Sequence, residues 1–184
     1  FKTAGTDRNI NSNEYSSFFL KDDGNAFLQY FKFNIKFLAN GIEYFEMASV
    51  NKITEMIYPI YFDRNAADST RDLDARFSGL VKIVVENGMI TYISQKGETV
   101  NVPENGYLII LSSSYADSYI GEGKIAVGQS ADVQITASAD ISHIEAAIGG
   151  AGTILVNGSQ ATNPGLVIAG RQPRTALGIS QDGK

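Results

Sequence analysis

Two arginines and a threonine fall within residues 171–175, and Arg171, Arg174 and Thr175 are the side chains of this chain best equipped for chemistry. A guanidinium grips a phosphate or carboxylate through two parallel hydrogen bonds, and a neighbouring hydroxyl can add a third contact, so RQPRT suits an anionic substrate. The same residues also fit a solvated loop arginine beside a structural ion pair. Upstream, Gly149, Gly150 and Gly152 interrupt an apolar segment and can let backbone amides approach a ligand closely. Their spacing has neither the third glycine of a dinucleotide fingerprint nor the Gly-Lys-Ser/Thr ending of a nucleotide-binding loop. Tight packing or a β-bulge accounts for the cluster equally well.

The other chemical candidates are weaker. His143, the single histidine, stands near Asp140 and Glu145 and can be read as a general base, but a surface or capping role is the favoured reading. One histidine and no cysteine exclude a multi-histidine zinc site, a thiolate metal site, a disulfide and a cysteine nucleophile, and no metal-ligating residue or cofactor is named. Asp63, Asp68, Asp72 and Asp74 are interleaved with Arg64, Arg71 and Arg76. Paired carboxylates serve glycoside hydrolysis, yet a charge-balanced, solvated loop over residues 63–76 is the preferred reading. Asn157-Gly158-Ser159 is formally a glycosylation sequon, and a turn explains the same residues.

The elements that must position these groups are mostly strands. Asn-Gly and Asp-Gly pairs recur at 23–24, 40–41, 87–88, 105–106, 157–158 and 182–183 and tolerate the positive φ angles of tight hairpin turns. Between them, residues 26–33, 42–47, 81–85, 89–94 and 107–112 are rich in Val, Ile, Phe and Tyr and read as strands; 81–85 and 89–93 around Asn87-Gly88 make the clearest hairpin. The aromatic residues Phe27, Tyr30, Phe31, Phe33, Phe37, Tyr44 and Phe45 can serve sugar stacking, but their strand spacing favours core burial. Residues 140–148, DISHIEAAI, predict a helix of about two turns with Asp140 or Ser142 as its cap. Residues 175–180 predict a strand running into the Asp182-Gly183 turn.

Composition sets outer limits. The 184 residues are 43% hydrophobic and 19% charged, which is globular and enough for one sizeable core. A net charge of -5 opposes a broad basic surface, so nucleic acid is not an expected partner. No apolar run reaches the roughly 20 residues of a membrane-spanning helix. The fold class expected is α+β, with strand-rich mixed β-sheets, hairpins and few helices. The chain begins at Phe1 and stops just after a turn signal, so it is expected to be part of a larger domain.

In order, the segments VENGMITYIS, VPENGYLIILS, KIAVGQSADVQI, AAIGGAGTILVNG and PRTALGISQDGK resemble the phosphodiester glycosidase family. This family includes the enzyme that uncovers mannose 6-phosphate by removing a covering N-acetylglucosamine, and it has many secreted bacterial members. The resemblance spans roughly residues 58–184 and is most specific at the glycine cluster and PRTALGIS, while 1–57 resembles the variable part of bacterial members. It implies one domain over 1–184, incomplete at one or both ends: neither the Asn-Gly-Gly-Phe-Phe-like motif that opens the family domain nor the Asp-Gly-Gly-rich motif that follows its final hairpin is visible. It further implies hydrolysis of a sugar-1-phosphodiester on a phosphorylated glycan, at the cell surface or outside the cell. Arg174 and Thr175 would then anchor the substrate phosphate, with Arg171 nearby and Gly149, Gly150 and Gly152 as a backbone wall. The alternative is a non-catalytic glycan-binding or structural cell-surface module.

Overall fold

The computed structural model describes residues 8–10, 15–149, 155–160 and 178–180. Within them the chain is strand-rich α+β, with mostly antiparallel sheets and two short helices. Its contacts divide it into two compact units, one built from Phe1–Asn11 and Asn34–Thr136, the other from Ser12–Phe33 and Ala137–Lys184.

The first unit is organised by a six-stranded mixed sheet. Its strands are β1 (Arg8–Asn9), β6 (Ser49–Val50), β7 (Ile60–Phe62), β10 (Gly106–Leu111), β8 (Val81–Glu86) and β9 (Met89–Ile93), in that spatial order. Only β6 and β7 run parallel; every other neighbouring pair is antiparallel. One face carries Ile60, Phe62, Val84, Leu108 and Ile110 into a core completed by Leu73, Leu80, Val100 and Val102. Ile83, Val85, Ile109 and Leu111 alternate with them and are also fully buried. A sheet buried on both faces needs apolar residues at consecutive positions, which explains the run YLIIL and the segment VKIVV, where Lys82 is the one charged residue.

Hairpin geometry follows from local chemistry. Glu86 faces Met89 across Asn87 and Gly88, whose φ angles of 51° and 74° are those of a two-residue turn that matches strand twist. Asn40-Gly41, between β4 (Phe33–Ala39) and β5 (Ile42–Glu46), does the same, as does Asn157-Gly158 between β13 (Leu155–Val156) and β14 (Ser159–Gln160). Asn105-Gly106 does not. Gly106 opens β10, and a Cβ there would stand 1.9 Å from the Val85 carbonyl oxygen, so this glycine serves close strand approach. β4 is the middle strand of a second, three-stranded sheet between β5 and β11 (Ala131–Ala137), and its Ile35, Phe37 and Ala39 are buried.

Two expectations about helices are corrected. The acidic-basic stretch 63–76 is not wholly a loop, because Arg71–Arg76 forms the helix α1 with buried Leu73 on its inner side. The segment DISHIEAAI is not helical: Ile144–Gly149 is strand β12, paired antiparallel with β2 (Tyr15–Lys21). Its backbone bonds are met by a partner far away in sequence, which outweighs the cap signal. The second helix, α2 (Ser113–Ala116), is capped by the Ser112 hydroxyl accepting from the Tyr115 N–H, and it continues into a π-helical turn over Asp117–Gly121.

The second unit carries the three-stranded sheet β12-β2-β3, where β3 is Ala26–Phe31. Phe19 is its buried anchor, stacked on Phe27 at 5.1 Å and edge-on to Phe31 at 5.2 Å. The aromatic run therefore supplies core packing, although Tyr30 in the same run is 64% exposed. The expected strand over 175–180 lies partly outside the described residues, and its described part, 178–180, has no regular element.

Candidate functional site

Of the residues expected to form the site, the structure describes Gly149, which ends β12 opposite Ser17 of β2. Gly150, Gly152, Arg171, Arg174 and Thr175 lie outside the described residues, as does the Asp182-Gly183 turn. His143 precedes β12 on the surface. Its Nδ1 lies 3.2 Å from an oxygen of Asp22, and its carbonyl accepts the Asp22 N–H at 3.1 Å. That pairing gives it a surface role joining the 139–143 segment to the β2–β3 turn.

In the first unit, polar groups gather at one end of the six-stranded sheet, where the C-terminal ends of β6, β7 and β8 meet the start of β10. Asn51 follows β6, is fully buried, and has φ of 50°. Its amide donates to Asp63 at 2.9 Å and its side-chain oxygen accepts the Asp63 N–H at 2.9 Å. Asp63 also accepts from the backbone and side-chain amides of Asn65, at 2.9 Å and 3.2 Å. A buried asparagine in the left-handed region is sparsely populated backbone, held here by bonds to its neighbour strand.

Beside this pair, Tyr61 of β7 stacks on Tyr107 of β10 with ring centroids 5.0 Å apart. Burial, with help from the Asp63 charge, pushes the Tyr61 phenol up to about 12, and burial pushes Tyr107 higher still. Both are therefore neutral hydroxyls at physiological pH. The Tyr107 hydroxyl is buried and lacks a hydrogen-bond partner among the described residues. The sequence signal for this corner was faint, since Asn51 precedes no glycine and the two tyrosines belong to strands 46 residues apart.

The acidic cluster of residues 63–76 is pulled apart by the fold. Asp63 belongs to the sheet end, whereas Asp74 lies on α1 with its side chain 7% exposed and pairs with Lys82, which is fully buried in β8. The Lys82 ammonium also donates to the Glu98 carbonyl at 2.6 Å, and Asp74 accepts the Thr70 hydroxyl at 2.6 Å. The Thr70 hydroxyl in turn accepts the Val100 N–H at 3.1 Å. Each buried charge thus has a partner, as burial requires. This network ties α1 to the sheet and keeps the Asp74 carboxylate out of solvent. Glu98 is also tethered by its carboxylate, which accepts the Gln95 N–H at 2.8 Å and the Tyr92 hydroxyl; the first of these bonds is the larger cause that holds it below the usual carboxylate range.

Among the described residues no group of three or more His, Asp or Glu side chains is arranged to hold a metal ion, and no helix is long and apolar enough to cross a membrane. Structural comparison finds a hypothetical protein from Synechocystis at 15% identity and a TM-score of 0.69, covering 98% of this chain and 38% of that one. A candidate exported protein from Burkholderia pseudomallei K96243 matches at 13% identity and a TM-score of 0.51, covering 76% of this chain and 34% of that one. At such identities the likeness is one of fold, and this chain spans little more than a third of either protein's length. No curated protein matches it. A family match covers residues 79–184, from the turn before β8 through the glycine cluster and the Arg174-Thr175 pair, and its description is phosphodiester glycosidase. With more than half of its residues matched, the chain belongs to the phosphodiester glycosidase family.

Proposed function

We propose that this protein hydrolyses the glycosidic bond of a sugar-1-phosphodiester carried by a glycan or cell-surface polymer, releasing the sugar and leaving the phosphate on its acceptor. The observation that carries this reading is the family match over residues 79–184, because the matched stretch contains both the glycine cluster and Arg174-Thr175. In such a reaction the leaving group is already a stable anion. A cation set against the phosphate therefore stabilises the charge that develops as the bond breaks, more than it stabilises the bound substrate.

Arg174 is the proposed clamp, with Thr175 and Arg171 adding contacts to phosphate oxygens and Gly149, Gly150 and Gly152 as the close backbone wall. Strong general-acid help is unnecessary for such a leaving group, although a carboxylate nucleophile or base is still required. A place of action outside the cell or at its surface belongs to the same proposal. The Burkholderia protein, with its description as a candidate exported protein, fits that placement.

The test is direct: incubate the protein with an activated sugar-1-phosphodiester and measure free sugar. Release is expected, and release that is no faster than in buffer would overturn the hydrolase reading.

A further inference from the structure

The second unit contains a recess of about 400 Å³. Its floor is one face of the β2–β3 hairpin, where the pairing of Phe19 with Phe27 and of Ser17 with Gln29 brings Lys21, Phe27 and Gln29 to the same side. Phe27 is fixed by stacking on Phe19, and the Lys21 ammonium lies 5.4 Å from the Phe27 ring centroid. Its wall is the segment entering β12, with Asp140, His143 and Ile144. That segment is pinned: Asp140 accepts the Ser142 N–H at 2.9 Å, and His143 is joined to Asp22 through both its ring and its backbone.

The chemistry of the lining selects a ligand class. Lys21 donates, Gln29 donates and accepts, and Asp140 accepts, while Phe27 and Ile144 offer apolar surface. The one lysine and one aspartate cancel in charge. An anion entering the recess meets Asp140, whose carboxyl is held below the usual range chiefly by the Ser142 N–H. A wholly apolar ligand would strip water from two charges without replacing their bonds. A ring that carries hydroxyls at its edge and C–H groups on its face satisfies all of these groups together, and about 400 Å³ falls within the size range of small-molecule sites.

From this arrangement we infer that the recess formed by Lys21, Phe27, Gln29, Asp140 and His143 is a binding subsite for a neutral sugar residue of a glycan. The inference does not depend on turnover and stands apart from the hydrolase proposal. It is tested with the 184-residue protein by following its backbone amide NMR signals during titration with maltotriose, chitotriose and mannotriose, using glucose 1-phosphate as the anionic comparator.

At least one neutral trisaccharide is expected to shift the amides of Lys21, Gln29 and residues 139–144. Gln29→Ala, at an exposed position, should weaken that binding about five- to tenfold while leaving the remaining spectrum in place. Lys21→Ala should weaken it comparably. The inference is overturned if no trisaccharide moves these amides, if the shifts fall elsewhere, if neither variant weakens binding, or if glucose 1-phosphate binds more tightly than the neutral sugars.

Discussion

Lys82 and Asp74 form an ion pair inside the first unit, the lysine fully buried in a strand and the aspartate on the helix packed across it. Removing one member strands a charge away from water, which costs about 3–5 kcal/mol in comparable buried pairs. Asp74→Ala and Lys82→Ala should each lower the unfolding free energy by that order in urea denaturation. Replacing both, with Lys82→Met and Asp74→Leu, should recover part of the loss. Single variants within about 1 kcal/mol of the parent would show that the pair is not buried as described.

The close approach at Gly106 leads to a different prediction. A methyl group there has no room against the Val85 carbonyl, whereas one at Gly121 meets nothing within 4 Å. Gly106→Ala should lose several kcal/mol or fail to fold, and Gly121→Ala should stay within about 0.5 kcal/mol of the parent. Equal denaturation midpoints for the two variants would contradict the pairing of β8 with β10.

Tyr107 offers a stabilising change. Its buried hydroxyl has no partner among the described residues, so Tyr107→Phe removes an uncompensated desolvation cost and should raise stability by about 1 kcal/mol. A loss of stability in chemical denaturation would mean that the hydroxyl makes a bond in solution.

Alkaline pH should expose the same pair of rings. The folded-state pKa of Tyr61 is raised from 10.0 to about 12, and that of Tyr107 is raised further. A group raised on folding contributes stability that is complete below its unfolded pKa and is lost as pH climbs towards the folded value. Stability should therefore fall as pH rises from 10.0 towards about 12, and the fall should be shallower in Tyr107→Phe. A denaturation series across that window checks it, and identical slopes for parent and variant would be the contrary result.

Much of this architecture was legible in local chemistry, and what was not has a common physical cause. Asn40-Gly41, Asn87-Gly88 and Asn157-Gly158 adopt positive φ because the requirement is met within the turn itself. Asn105-Gly106 carries the same two letters, but there the glycine answers to a strand some twenty residues earlier in the chain. β12 was disguised as a helix because its bonds come from β2, and no property of DISHIEAAI reports that partner. The pairing of Lys82 was hidden for the same reason, since its ion-pair partner Asp74 comes from α1. RQPRT and the glycines suggest a phosphate anchor from their residue types alone, and Gly150, Gly152, Arg171, Arg174 and Thr175 lie outside the described residues. The Asn51-Asp63 corner was not legible, because its meaning arises only when β6 and β7 lie side by side.

The proposed grip of Arg174 on the phosphate of a sugar-1-phosphodiester, held while the glycosidic bond breaks, is tested most directly by comparing single-turnover release of sugar by Arg174→Ala and by the parent protein. The variant should release sugar about 10²- to 10³-fold more slowly, the scale seen when one charge-stabilising group is removed, with an unchanged denaturation midpoint. A variant that releases sugar at the parent's rate would contradict it.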